Sequence, residues 1–355
     1  MIINNKMLLQ GNKAAVYGAL LGGVTHFFGY PITPACEITN TSAVLFKKFN
    51  KVFLQTESEI SAINMILGAN SAGARAMTAS SGPGISLMNE AISYIAGSEV
   101  PCVIINVQRV GPGLGYIWPE QSDYNMVVKG GGHGIYKNIV FAPNSAQEMC
   151  DFSYRAFEIA EKYRITVFIL SDAYIGQMME IVSLPIKIKF NKSKKWGLLN
   201  NKNKNIITSI YDTKEDLNDK MINRLLNKYK KIEDEIVSYE EYNIDMNTEF
   251  IISSFGICSR ICFNVIDELK KNNINIGMIR PITLFPFPKK KFQSLPKKIK
   301  KIFVVELNEG QMIDDIKISI NNNLPIIGLN WYGGNIPTVN EIVSKIKEEI
   351  IKEVK

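Results

Sequence analysis

The sequence predicts an α/β protein, and three observations carry that prediction. Short runs rich in β-branched residues alternate with longer helical patterns over most of the chain. The runs are apolar throughout rather than alternating, as expected for a parallel sheet covered by helices on both faces. The chain has 355 residues, 46% of them hydrophobic, so it can bury a large core and exceeds one ordinary domain.

Residues 1–190 carry the first alternation. Strand signals stand at Val24–Tyr30, Val52–Gln55, Cys102–Val107 and Thr166–Leu170, with helical stretches at Lys13–Ala19, Ile60–Ala69, Ile85–Ala96 and Ala146–Lys162. The last begins with a capping-box pattern, Ser145 followed by Glu148. Residues 191–248 form a linker. Asn and Lys dominate 191–205, which reads as an exposed connection. A helix is predicted from about Lys214 to Tyr242, with a heptad-like seam of Ile222, Leu225, Tyr229, Ile232, Ile236 and Tyr239. The seam is too short for an autonomous coiled coil and predicts an arm packed on this chain or on a partner. Residues 249–355 restart the alternation as a second, smaller α/β domain. Its strands are expected at Phe250–Phe255, Ile276–Ile279, Ile302–Glu306 and Ile326–Leu329, its helices at Ser259–Lys271 and Gln311–Ile320, with a basic, Pro-rich connection at Pro281–Pro296.

Composition narrows the function classes. No apolar run reaches the ~18 residues of a membrane span, and the first ten residues lack a signal-peptide core. Five cysteines occur without a CxxC pair. That argues against disulfides, zinc or an iron–sulfur cluster held by this chain alone, and it fits a reducing cytoplasm. The net charge of +7 comes from lysine, since only 7 of the 41 basic residues are arginine. Such Asn-, Ile- and Lys-rich usage is what an AT-rich genome produces. The runs at Lys289–Lys291, Lys297–Lys298 and Lys300–Lys301 lack interleaved aromatics, so they read as solvated surface rather than a nucleic-acid patch.

Several familiar motifs are missing. There is no GxxxxGK[ST], and Gly111, Gly113 and Gly115 give GxGxG rather than GxGxxG. Only His26 and His133 exist, far apart in sequence, which leaves little for a His-based triad or metal site. His133 reads as structural. Cys258 and Cys262, one helical turn apart, read as small core residues. What remains is four loops at predicted strand ends: Tyr30–Pro34, Gln55–Glu59, Ser80–Gly84 and Val107–Gly115. Open α/β sheets bind ligands at the carboxyl ends of their strands. The residues alone therefore describe a small-molecule site with one acid, Glu59, and one base, Arg109. Each has a plainer alternative, a solvated helix-start acid and a structural ion pair.

In this order the loops resemble those of the α subunit of the 2-oxoacid:ferredoxin oxidoreductases. The matching stretches are GYPITPACEI, QTESEISAINMILGANSAGARAMTASSGPGISLMNEAISYIAG and NVQRVGPGLGYIWPEQSDYNMVVKGGGHGIY, continuing through AEKYRITVFILSDAYIGQMME to VVELNEGQM. The GPGLG loop and the KGGGHG stretch resemble the branched-chain type, which acts on 3-methyl-2-oxobutanoate, with the 2-oxoglutarate type next.

The resemblance implies a pyrimidine-binding domain of the thiamine diphosphate enzymes, followed by a domain like the transketolase C-terminal one. It implies oxidative decarboxylation of a 2-oxoacid, with electrons passed to ferredoxin and the acyl group to coenzyme A. The GDG motif that holds Mg²⁺ and the diphosphate is missing here. Thiamine diphosphate would thus be shared with a β subunit. Mg²⁺ and [4Fe–4S] clusters would lie on partners, including a γ subunit and a ferredoxin-like δ subunit, with no metal on this chain. Glu59 matches the family's cofactor-activating glutamate, whose carboxyl bonds N1′ of the aminopyrimidine, and Glu57 is the runner-up. Ser81 and Gly82 would line the pyrimidine pocket. Thr33 and Arg109 match substrate-binding positions, with Pro31 shaping the wall. A catalytically silent assembly subunit is the alternative, and so is a stand-alone transketolase-like enzyme. Retention of Glu59, Thr33 and Arg109 together argues against the first, and the missing GDG against the second.

Overall fold

A computed structural model describes residues 6–186, 196–199, 206–209, 215–320 and 324–352. In the first half the elements are β1 (Lys6–Gln10), α1 (Gly11–Leu21), β2 (His26–Gly29), α2 (Cys36–Lys48), β3 (Val52–Gln55), α3 (Glu59–Ser71), β4 (Ala76–Ser80) and α4 (Gly82–Gly97). These are followed by β5 (Cys102–Gln108), α5 (Tyr124–Val128), β6 (Ile139–Phe141), α6 (Ala146–Tyr163), β7 (Thr166–Asp172), α7 (Ala173–Gln177) and β8 (Met179–Ser183). The second half comprises α8 (Glu215–Glu235), β9 (Tyr239–Tyr242), β10 (Phe250–Ser254), α9 (Gly256–Lys271), β11 (Ile276–Pro281), β12 (Thr283–Phe285) and α10 (Lys289–Gln293). It ends with β13 (Lys301–Glu306), α11 (Gln311–Ser319), β14 (Ile326–Asn330) and α12 (Val339–Ile351).

The first sheet has seven strands in the order β12–β6–β7–β5–β4–β2–β3. All its pairs are parallel except β12 on β6. Strands β4, β5 and β7 are buried at every residue, as their two-sided helix cover requires. Helices α1, α2 and α6 pack together, and α3 and α4 form a separate pair. Strand β2 leads to β3 on one side while β4 lies on its other side. The chain therefore reverses direction across the sheet here, which opens a crevice at the carboxyl ends of β2 and β4.

The second sheet runs β14–β13–β10–β11–β9, parallel except for β9. The halves are interleaved. Strand β12 lies in the stretch read from sequence as a connection, yet it pairs with β6 at the edge of the first sheet. An edge is where a strand bounded by Pro281 and Pro286 can be accommodated. Buried Arg280 reinforces the joint through Glu148, Glu240 and the Ala142 carbonyl. Asp172, wholly buried, accepts from Ile175 N at 3.0 Å and Ile257 N at 2.8 Å, so one carboxylate caps a helix in each half.

Two further expectations need correction. The arm helix stops at Glu235, and Tyr239–Tyr242 instead pairs with β11 as a strand. Its start at Lys214 lies outside the described residues, as does most of the 191–205 connection. The arm packs on its own chain. Leu225, Tyr229 and Ile232 are buried, and Glu99 receives Arg224 at 2.5 Å and Lys228 at 3.0 Å. The capping box at Ser145 is half formed. Ser145 Oγ accepts from Glu148 N, but the Glu148 carboxylate turns to Asn144 N and Arg280.

Candidate active site

The four loops singled out in sequence meet at the carboxyl ends of β2, β3, β4 and β5. Loop 30–34 is held from behind. Asn12 Nδ2 donates to the Pro34 carbonyl at 2.8 Å, and Gln177 Nε2 reaches it at 3.2 Å. Pro31 is half-buried and Thr33 exposed, with the Thr33 hydroxyl 3.6 Å from Cys36 Sγ.

Strand β3 turns into α3 at Ser58, whose hydroxyl accepts from Ser61 N. This turn separates the two glutamates. Glu57 is exposed and receives Ser58 and Ser61 hydroxyls, chiefly the latter, which hold its carboxyl below the usual range. Glu59 points inward, 5% exposed, and its carboxylate takes no hydrogen bond among the described residues. It lies over Gly84, where a Cβ would stand 2.4 Å from Glu59 Oε1 and 2.1 Å from Ser80 Oγ. Only glycine leaves both groups room.

The carboxyl end of β4 supplies Ser80 and Ser81, both fully buried with hydroxyls lacking a partner among the described residues. Ser81 occupies the N-cap of α4, yet its hydroxyl caps nothing. Beside it, Asn106 donates to Asp123 Oδ2 at 2.9 Å and leaves its own Oδ1 unmatched. Burial pushes the Asp123 carboxyl up to about 6, and Glu120 adds to that shift while Asn106 and Arg109 oppose it. Unpartnered buried polar atoms are uncommon in folded proteins, and a convergent group of them marks a ligand seat.

Arg109, just past the end of β5, ties two loops together. Its Nη1 donates to the Thr33 carbonyl at 2.8 Å and its Nη2 to the Leu114 carbonyl at 2.9 Å, while Nε is buried without a partner among the described residues. Loop 110–118 closes on itself through Tyr116 N to Val110 O and Val110 N to Trp118 O, both 3.0 Å. At Gly115, φ is +61° and a Cβ would stand 1.9 Å from the Val110 carbonyl. A cleft of about 580 Å³ opens beyond, lined by Gly82, Arg109, Asp123, Glu309, Gln311 and Tyr332 from both halves. Glu120 fastens its rim, accepting from Gly111 N, the Ser122 hydroxyl and Gly333 N. His133 sits apart, its ring edge-on to Tyr94 and its amide held by Ser93.

Glu59, Ser81, Gly82, Thr33, Pro31 and Arg109 thus occupy adjoining loops. Sequence reasoning missed Ser80, Asn106 and Asp123. The doubled serine of SSGPG was the available signal for Ser80, whereas nothing local distinguishes Asn106 within an apolar strand. A thiamine diphosphate pyrimidine fits this set. It would meet a buried carboxyl and unmatched hydroxyls on this chain. Among the described residues no group of three or more His, Cys, Asp or Glu side chains converges as a metal site would require, and no helix is long and apolar enough to cross a membrane.

Comparison with known proteins agrees with this geometry. Residues 17–241 match the family described as pyruvate flavodoxin/ferredoxin oxidoreductase, thiamine diphosphate-binding. Residues 248–342 match core domain II of pyruvate:ferredoxin oxidoreductase. The ketoisovalerate oxidoreductase subunit VorB of Methanothermobacter thermautotrophicus is 44% identical over 96% of this chain and 97% of its own. The 2-oxoglutarate synthase subunit KorA of Methanocaldococcus jannaschii is 34% identical over 94% of this chain and 97% of its own. Among solved structures, a 2-oxoglutarate:ferredoxin oxidoreductase from Magnetococcus marinus superposes with a TM-score of 0.88 at 27% identity, covering 98% of this chain and 66% of that longer one. A split-gene transketolase shares the fold at a TM-score of 0.57 and 10% identity. The matches span both halves of the chain, and the chain belongs to the 2-oxoacid:ferredoxin oxidoreductase family as one of its subunits.

Proposed function

We propose that this chain is the α subunit of a thiamine-diphosphate-dependent 2-oxoacid:ferredoxin oxidoreductase, acting on 3-methyl-2-oxobutanoate. The products would be the acyl-CoA and CO₂, with electrons delivered to ferredoxin. The observation that carries the reading is Glu59, a buried carboxyl with no hydrogen bond among the described residues, beside unmatched hydroxyls at the sheet's switch point. The substrate follows the higher identity to the ketoisovalerate subunit than to the 2-oxoglutarate one. Action on 2-oxoglutarate is the second reading, favoured by the solved structure that superposes on nearly the whole chain.

Glu59, Ser81 and Gly82 would hold the pyrimidine of thiamine diphosphate, which when bound would supply the nucleophile and electron sink that decarboxylation of a 2-oxoacid needs. The chain's own residues prepare this. Glu59 holds a proton at N1′ of the pyrimidine, as a general acid–base group inside a closed site can. Ser81 and Gly82 line the ring. Thr33 donates its hydroxyl to the substrate's oxo or carboxylate oxygen. Arg109 spends two of its five N–H groups on the Thr33 and Leu114 carbonyls, which leaves Nε–H and one N–H on each Nη for the carboxylate. The diphosphate, Mg²⁺ and [4Fe–4S] clusters belong on β, γ and δ partners. This reading places the complex in the cytoplasm.

Calorimetry with Mg²⁺ and thiamine diphosphate tests the shared site, run with and without the β subunit. The lone chain should bind weakly, and micromolar affinity for it alone would overturn the split-site reading. Steady-state kinetics of the assembled complex on the two oxoacids separates the substrate readings.

A further inference from the structure

We infer that Ser80 is a positioning residue for Glu59: once the cofactor is bound, its hydroxyl, unpartnered among the described residues of this structure, donates to one carboxyl oxygen and leaves the other aimed at the cofactor. The inference rests on the reading of Glu59 as the group that handles the N1′ proton. Ser80 is the last residue of β4, fully buried, with a hydroxyl that finds no partner among the described residues. A buried serine hydroxyl ordinarily bonds a nearby backbone carbonyl, at small cost and with no further role. Here it does not. It shares the space over the Gly84 Cα with Glu59 Oε1, both within 2.4 Å of the point a Cβ would occupy.

The physical need is orientation. The terminal torsion of a glutamate is broad and roughly two-fold, so a carboxyl without a partner turns freely. Such freedom costs rate when a proton must move to a fixed atom, because small misplacements of a reacting group carry large penalties. The rest of Glu59 is already fixed by its place in the first turn of α3. What remains is the carboxyl plane, and Ser80 is the donor placed to set it. Ser81 is the neighbouring hydroxyl, but it stands one residue later at the N-cap of α4 beside Gly82, where the proposed pyrimidine pocket lies.

The test uses the assembled complex with Ser80→Ala, Ser80→Cys, Ser80→Thr and Glu59→Gln. Three quantities are read: C2 proton exchange on bound thiamine diphosphate, the ultraviolet circular-dichroism band of the bound aminopyrimidine, and substrate KM. Cofactor affinity by calorimetry and Tm control for structural damage. Ser80→Ala should slow exchange roughly tenfold, the scale of one hydrogen bond to a charged group, and weaken the dichroic band, with KM and cofactor affinity within about twofold. Ser80→Cys keeps the volume without a good donor and should match Ala. Ser80→Thr keeps the hydroxyl and should recover most of the exchange rate. Normal exchange in both Ala and Cys, with exchange lost in Glu59→Gln, would overturn the role of Ser80 and leave the Glu59 reading intact. Normal exchange in Glu59→Gln would overturn both. Should the Ala variant lose Tm, the Cys variant decides.

Discussion

Glu59 and Glu306 are both buried glutamates near the carboxyl end of a parallel strand, one in each half, yet they do different work. Glu306 is wholly buried at the end of β13, and its Oε2 accepts from Met312 N at 3.0 Å. Asn308 alongside accepts from Gly310 N and Gln311 N. One carboxyl oxygen is spent on the start of α11, Oε1 has no partner among the described residues, and burial raises the group to about 7. Glu59 is also buried at its helix start but takes nothing from the α3 amides, of which Ser61 N goes to the Ser58 hydroxyl. Burial alone therefore does not mark a functional acid. The distinction is whether the local backbone has a use for it.

The comparison can be broken or sharpened by substitution. Glu59→Gln should reduce turnover on the order of 10²–10⁴-fold, the scale of a general acid–base group, with C2 proton exchange falling in parallel. Equal exchange in the variant would erase the contrast. Arg109→Ala should lose roughly 2–5 kcal/mol of transition-state stabilisation. Arg109→Lys keeps the charge but not the fork, so it should mainly raise the oxoacid KM. Because the guanidinium also ties loop 30–34 to loop 110–118, the Ala variant should become more sensitive to protease near Leu114, and limited digestion checks this.

Gly84→Ala probes the same site without touching its chemistry. The new methyl would stand 2.1 Å from Ser80 Oγ and 2.4 Å from Glu59 Oε1, so the carboxyl must turn away. Turnover should fall about 10²-fold with little change in Tm. Glu306→Gln should leave turnover near normal and change stability in a pH-dependent way. Its carboxyl rises from 4.5 to about 7 on folding, so the folded state holds the proton more tightly than the unfolded one. The resulting penalty is absent below 4.5, grows as pH rises from there to 7, and levels above 7 at about 3 kcal/mol. Denaturant midpoints of the two proteins should coincide near pH 4.5 and favour Gln at pH 8.

Much of this architecture was legible because its strands advertise themselves. Val52–Gln55, Cys102–Val107 and Thr166–Leu170 are dense in β-branched and aromatic residues and form strands where expected. Ala76–Ser80 escaped notice since AMTAS is small and short, although it is central to the sheet. Strand β12 was hidden among prolines, and its partner β6 lies over 140 residues upstream. Periodicity cannot reveal such a pairing. At the site, the loops could be found from Pro, Gly and Ser punctuation. The inward turn of Glu59, the unmatched hydroxyl of Ser80 and the double tie of Arg109 could not, because each depends on what a distant segment fails or manages to supply.

The return of β12 to the first sheet has a consequence for how this protein can be divided. Two modules joined end to end can be cut apart, shuffled or inherited separately. Here the carboxyl-terminal half has left a strand inside its neighbour, and Asp172 and Arg280 bind each half to the other's backbone or carboxylates. A chain severed ahead of α8 should still travel as one particle on a sizing column, like dovetailed timber sawn beside the joint.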